Sequence, residues 1–436
     1  MQQVGRIEPS PERRRIVGRV TRRLLPLLIV GYFFAILDRG NVGVAALTMN
    51  RAIGLSAAAF GFGAGIFFIP YFLFEVPSNL ALERFGARRW IARILIIWGV
   101  VAAATAFVRD GSGFFVVRAM LGAAEAGFFP GIIYYLTRWI PTAERGRVTG
   151  YFMAAIPLSA LIGTPIGGLL LGVNGVFGLQ GWQWLFLLEG LPAFVLGFVV
   201  LRALPDDPEH AGWLTEADRS WLATTLAEER ARLVAPERPG WAHVFFNGRA
   251  VSLAIAYSGL VGLNAGLAVF LPLIMRMFHV SLFSTTLLAA LPFAAGALGM
   301  LLFGWLSDRN RRAAALLSAA LSAGGLAAAA AVNDPVAKLA VLCIAAVGFY
   351  GCLSAFWPVV TDMLPAVQAA AGFALINAVG NLAGFYNPTI IGIVRERTGS
   401  YDGGLLWLAA TAAVAFVILA VLTRRPAAAI VASRPT

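Results

Sequence analysis

The chain has 436 residues, 59% of them hydrophobic and only 13% charged, with a mean hydropathy of +0.79 and a formal net charge of +12. Soluble domains carry about 25% charged residues, so this composition excludes a water-soluble globular protein and places the chain in a bilayer. Lys338 is the only lysine, and the two cysteines (Cys343, Cys352) and three histidines (His210, His243, His279) are not at metal-ligand spacing, so no metal site or cofactor is expected.

In chain order, residues 1–23 form a polar, Arg-rich tail. The apolar run after it is longer than a signal-peptide core and no A-x-A site ends it, so it reads as a retained first span. A helix needs ~20 apolar residues to cross the hydrocarbon core. Twelve such runs can be laid out, at 24–49, 56–81, 89–108, 113–138, 147–173, 183–203, 247–275, 283–306, 312–332, 336–362, 367–394 and 403–423. They divide into an N-terminal six-helix bundle (24–203), a central loop (204–246), a C-terminal six-helix bundle (247–423) and a tail (424–436). The expected fold class is thus an all-α polytopic membrane protein with two six-helix bundles, a recurrent plan for transporters with a central site. In the loop, Thr215-Glu216-Ala217-Asp218 followed by periodic Trp221, Leu222 and Leu226 predicts a capped amphipathic surface helix.

The basic residues orient these spans. Twenty-five lie in the tails and in the loops on the side of the termini, six on the other side and three (Arg39, Arg93, Arg118) inside spans. By the positive-inside rule both termini are expected in the cytoplasm, and with no organelle-targeting signal the expected location is a bacterial-type inner membrane. The net charge is then topogenic and calls for no nucleic acid; anionic lipid is the partner it favours.

Ionisable residues inside spans are the informative ones, because each costs ~2.5–3.5 kcal/mol at mid-membrane on insertion scales. The first span holds Asp38-Arg39, and the fourth holds Arg118 and Glu125, seven apart and therefore on one helix face. The four charges sum to zero. One reading is a buried ion-pair cluster that glues helices, but such pairs are seldom net stabilising. The other is functional. Protonating one carboxylate leaves the cluster at +1 and attracts an anion, while deprotonation releases it. On that reading Asp38 and Glu125 carry protons, and the planar forks of Arg39 and Arg118 bind a carboxylate. Glu75, Glu189 and Asp362 are also embedded and are given packing or gating roles.

Tyr71 behind Pro70, Asn377 and Asn381 one turn apart, and Ser354 and Trp357 before Pro358 are placed as further lining of a substrate site. Small-xxx-small steps, such as Gly61/Gly65, mark close helix packing. A weak repeat relates Glu83-Arg84 and Arg88 after the second span to Asp308-Arg309 after the eighth, at matching places in the two halves. These five residues are expected to latch the cytoplasmic side.

With these residues assembled, the sequence resembles the major facilitator superfamily and, within it, the anion:cation symporter family, which includes carriers of tartrate, phthalate and sugar acids. The resemblance rests on Leu37-Asp38-Arg39-Gly40-Asn41, Phe74-Glu75-Val76-Pro77-Ser78-Asn79, Arg118 through Gly122, Glu125-Ala126-Gly127-Phe128-Phe129-Pro130-Gly131, Gly181-Trp182-Gln183-Trp184, Glu189-Gly190-Leu191-Pro192 and Asn377-Ala378-Val379-Gly380-Asn381. It implies proton-coupled symport of an organic anion by alternating access, with Asp38, Arg39, Arg118 and Glu125 at the coupling and carboxylate-binding positions. The first latch motif departs from the superfamily's, with Asn79 where glycine is usual and Glu83 in place of aspartate. The seventh span has Asn264 but no arginine, so a diacid held by an arginine at each end is disfavoured.

The expected function is a proton-coupled organic-anion symporter acting as a monomer. A uniporter or a proton-antiporting exporter on the same fold stays open, as do sugar acids, tartrate-like diacids and aromatic acids as cargo. No H-E-x-x-H, G-x-S-x-G or P-loop pattern points to an enzyme.

Overall fold

The computed structural model describes residues 11–153, 155–232, 247–364 and 366–424. The ends of both tails (1–10, 425–436) and the second part of the central loop (233–246) lie outside the described residues. Each predicted span corresponds to helix. The first is Pro11–Ala52, the second Ala57–Ile66 with Phe68–Phe85, the third Ala87–Ala104, and the fourth Gly111–Glu125 with Phe128–Thr137. The fifth is Thr142–Met153 with Ala155–Leu171, and the sixth Gly181–Ala203. The second half has Gly248–Met275, Leu282–Arg309, Arg311–Ala331, Pro335–Met363, Ala366–Thr398 and Asp402–Leu422. Eleven of these spans, all but Ala366–Thr398, are long and apolar enough to cross a membrane by length and composition. The eleventh span, Ala366–Thr398, has 33 residues and carries three asparagines along its length.

The first and fourth spans differ from their prediction for physical reasons. The first helix starts at Pro11 rather than at 24 and runs for 42 residues. At 1.5 Å per residue that is ~60 Å, about twice the hydrocarbon core, so its Arg-rich first turns stand clear of the bilayer. They are helical because they have partners. Arg13 forks onto both oxygens of Glu144 at 2.8 and 2.9 Å, and Arg15 and Arg19 reach Asp218 at 2.8 and 2.7 Å. Asp218 belongs to the surface helix Glu216–Arg232, whose first turn is capped as predicted: its N–H donates to Thr215 Oγ1 at 3.2 Å. The fourth span is broken, because Gly127 adopts φ +83°. Only glycine takes that conformation without cost, and a Cβ here would also run into the side chain of Ser78.

The halves pack tightly at the end away from the termini. There Gly61 lies against Pro388 and Gly392, and Gly65 against Phe385, so closely that a side chain on either would meet backbone. Met49, Phe60, Phe114 and Trp182 of the first half share one apolar cluster with Leu263, Phe270 and Leu271 of the second. Toward the termini, Tyr32, Trp98, Tyr135 and Trp139 pack within the first half alone. The outer surface presents apolar side chains such as Leu73, Leu298 and Leu301, each at least 60% exposed, as a lipid-facing surface must.

Candidate functional site

Between the halves lies a central space in two connected parts, about 110 and about 340 Å3. Arg39, Ile36, Asn264 and Asn381 line both. The inner part adds Arg118, Asn41 and Tyr350, and the outer part adds Tyr71, Ser354, Trp357 and Asn377. A wider cleft lined by Glu75, Asn79, Glu83 and Thr149 continues toward the termini. The site therefore opens on the side of the termini and is sealed beyond.

Of the four charges predicted to cluster, two meet directly. Arg39 donates from Nε and Nη2 to Glu125 Oε1, at 2.9 and 2.6 Å. Glu125 is fully buried and its Oε2 has no partner among the described residues, whereas Arg39 keeps a fifth of its side chain exposed toward the cavity. Glu125 ends its helix, just before the break at Gly127, so the pair sits at a helix C-terminus where a cation is favoured. The guanidinium of Arg39 also lies 4.7 Å from the ring centre of Tyr71 and 5.3 Å from that of Phe67. These rings hold the fork in place while leaving one edge to the cavity.

Asp38 and Arg118 do not complete a four-membered ion cluster. Adjacent residues on a helix point ~100° apart, so Asp38 turns away from Arg39 into the bundle. There it is 1% exposed and accepts a hydrogen bond from the Trp98 indole at 3.4 Å, leaving Oδ1 without a partner among the described residues. Arg118 is 2% exposed, donates from Nη2 to the Ala64 carbonyl at 3.3 Å and lies 5.1 Å from the centre of Phe67. Its Nε and Nη1 have no partner among the described residues. A buried cation with idle donors at a cavity wall is equipped to receive an anion. Glu189 is also buried, and neither of its oxygens has a partner among the described residues.

The second half contributes neutral polar groups. Tyr350 donates to Asn264 Oδ1 at 3.1 Å across the inner cavity. Ser354 turns its hydroxyl to the Gly351 carbonyl, and Trp357 packs on Tyr257 and Phe373. Asn377 and Asn381 do face inward, but each already donates its amide to Glu75 of the first half, at 3.1 and 3.4 Å. Tyr350 and Tyr257 escaped the sequence reading; the available signal was a tyrosine in the middle of an apolar run.

The expected latch residues are not joined to one another. Glu83 and Asp308 are exposed and make no ion pair among the described residues. Arg88 binds Asp206 at 3.6 Å, Arg84 leans on Phe85, and Arg309 stacks 3.4 Å from the centre of Trp305. Among the described residues, the ion pairs on this side, such as Arg13–Glu144, Arg19–Asp218 and Arg88–Asp206 around the first half and Arg311–Asp362 in the second, do not join the two halves, in keeping with a site open there.

Two helical bundles with a lipid-facing exterior and a polar cavity between them define a multi-pass membrane transporter, not an enzyme. The chain belongs to the Major Facilitator Superfamily, whose sequence model matches residues 28–388. It is 43% identical over 94% of its length to the "Putative tartrate transporter" of Agrobacterium vitis, covering 92% of that protein. It is 39% identical over 90% of its length to the "Quinolone resistance transporter" of Acinetobacter baumannii, covering 91% of that protein. Among solved structures, the inward-open xylose transporter XylE from E. coli superposes with a TM-score of 0.75 at 14% identity, covering 93% of this chain and 97% of that one.

Proposed function

We propose that this transporter moves an organic acid anion together with protons, as a monomer in a bacterial inner membrane with both termini in the cytoplasm. The observation that carries the reading is the Arg39–Glu125 pair, set in the cavity wall with one carboxylate oxygen free. Protonation of Glu125 releases Arg39, whose fork then takes the substrate's carboxylate. Deprotonation returns Arg39 to Glu125 and discharges the anion. Arg118 supplies the second positive charge of the site, and Asp38 beside Trp98 is the second proton carrier. Tyr71, Ser354 and Trp357 shape the site around the rest of the acid, while Asn377 and Asn381, which line the same space as Arg39, share its carboxylate. Glu83, Arg84, Arg88, Asp308 and Arg309 join the halves on the cytoplasmic side once the site has turned outward. The tartrate named for the Agrobacterium relative supports a carboxylate cargo, and the excess of basic residues on the side of the termini supports the orientation.

The test is uptake into proteoliposomes under an inward proton gradient, with labelled tartrate, gluconate and benzoate, for wild type, Glu125→Gln and Arg39→Ala. Accumulation of one acid against its gradient, lost with a protonophore and in both variants, is expected. Accumulation indifferent to pH, or variants that behave as wild type, would sink the coupling scheme. The name of the Acinetobacter relative favours a second reading, proton-antiporting export; it predicts instead that an outward proton gradient drives uptake into the vesicles.

A further inference from the structure

The amides of Asn377 and Asn381 carry no charge, yet they already hold a carboxylate, and it belongs to the protein. Asn377 Nδ2 donates to Glu75 Oε1 at 3.1 Å and Asn381 Nδ2 donates to Oε2 at 3.4 Å. Two asparagines one helical turn apart present their donors in a row, which matches the two oxygens of one carboxylate. Glu75 is half-buried and reaches them from the second span, so this contact crosses from one half of the molecule to the other. The charged and titratable groups around it are Arg39 from the first span, Tyr71 from its own and Tyr257 from the seventh. Five of the residues just named, Arg39, Tyr71, Tyr257, Asn377 and Asn381, line the outer part of the central cavity, and Tyr257 and Asn377 share the adjoining cleft with Glu75.

We propose that Glu75 is an internal stand-in for the substrate's carboxylate: it occupies the amide end of the site in the unloaded carrier, and the entering organic acid displaces it. This rests on the reading of Asn377 and Asn381 as substrate ligands given above. A carboxylate-for-carboxylate exchange leaves the number of amide hydrogen bonds unchanged, so neither asparagine is stranded without an acceptor at any stage. It also selects for anions. Hydrogen bonds to an ionised acceptor are roughly twice as strong as neutral ones, so an uncharged analogue competes poorly with Glu75. Because Glu75 stands on one half and the asparagines on the other, displacement exchanges a tie between the halves made by the protein for one made by the substrate, which lies between Arg39 and the asparagines.

The experiment is a double-variant cycle on the purified full-length chain in detergent micelles. Apparent affinities for sodium tartrate, sodium gluconate and sodium benzoate are read from ligand-induced thermal shifts of wild type, Glu75→Ala, Asn377→Ala and the double variant. Glu75→Gln is run in parallel, since it keeps the size and an acceptor oxygen if the alanine variant folds poorly. Removing the competitor is expected to tighten binding ~10-fold, the factor by which an occupied site taxes apparent affinity. Asn377→Ala weakens wild type only ~2- to 3-fold, because it removes a bond from substrate and competitor alike, but weakens Glu75→Ala ~10-fold or more.

Loss of a negative charge alone would also tighten binding, but then Asn377→Ala costs the same in both backgrounds. That additivity overturns the proposal, as does unchanged or weaker binding in both Glu75 variants. If Asn377→Ala is silent in every background, its amide is not a ligand and the site reading fails with the inference. If it weakens binding additively, the inference alone fails. Absence of any shift in any form with all three acids counts against the anion site as a whole.

Discussion

The two halves of this transporter share a helical plan but divide the chemistry between them. In the first half, Asp38, Arg118, Glu125 and Glu189 are each no more than 5% exposed, and Arg39 stands at the cavity wall. The second half meets the same cavity with Asn264, Tyr350, Ser354, Trp357, Asn377 and Asn381, none of them charged at neutral pH. Its buried cation, Lys338, stands at the first turn of the tenth span and is paired with Asp402 at 2.6 Å, at the sealed end. Charge that can be gained or lost is thus kept in one half, and donors and acceptors of fixed charge in the other. On the proposed mechanism the first half does the proton work and the second measures the shape and hydrogen bonding of the acid.

The largest effect should separate those tasks outright. Glu125→Gln keeps the size of the side chain and an acceptor for Arg39 but cannot release a proton. It is expected to reduce concentrative uptake to an accumulation ratio of about one, while exchange of internal for external acid persists, because coupling and binding are separable free energies. Loss of exchange as well would mean that Glu125 binds substrate or holds the fold, and the division of labour would be wrong. Next is Arg39→Lys. The lysine keeps the charge but loses the fork and the stacking on Tyr71 and Phe67. A charge-assisted pair is worth ~1.5–3 kcal/mol, so apparent affinity should fall ~10- to 100-fold. Equal affinities in a binding titration would show that only the charge matters.

The sequence made the membrane class, the number of spans and the candidate charges legible, because apolar runs and embedded ionisable residues stand out against each other. The pairing of those charges was not legible. Asp38 and Arg39 are neighbours in the chain, and helix rotation alone decides that one faces Trp98 and the other Glu125. The break at Gly127 was hidden because a glycine in an apolar span reads equally well as a packing residue; only its φ of +83° separates the two. The Arg-rich start of the first helix looked like a free tail because its acidic partners, Glu144 and Asp218, lie 131 to 203 residues away. Glu75 was visible as an embedded acid, but its asparagine partner 302 residues on could come only from the packing of the halves.

Smaller effects sharpen the second half's part. Tyr350→Phe removes one neutral hydrogen bond, to Asn264, and leaves the ring in place. Such a bond contributes ~0.5–1.5 kcal/mol, so affinity for the transported acid should drop ~2- to 10-fold with proton coupling intact. A changed proton-to-acid ratio in that variant would place coupling chemistry in the second half too.

The smallest effect concerns the sealed end. There Glu396 of the eleventh span accepts a hydrogen bond from the backbone N–H of Ala58 at 2.8 Å, in the first turn of the second span. A carboxylate at a helix N-terminus is favoured by the exposed N–H groups and the dipole, and here helix and carboxylate come from opposite halves. Glu396→Gln keeps an acceptor but removes the charge, so the closed seam should be weakened only slightly. The reading is the labelling rate of Phe62→Cys, at a position whose ring packs between Phe115 and Phe385 in that seam, with Cys343 and Cys352 replaced by alanine. A rise of roughly two- to threefold is expected, fading at high salt because the interaction is exposed and screened. A rise of the same size that ignores salt would mean that the backbone hydrogen bond, rather than the charge, closes this end. The seal would then owe nothing to electrostatics, and the glycine contacts at Gly61 and Gly65 would be left to hold it.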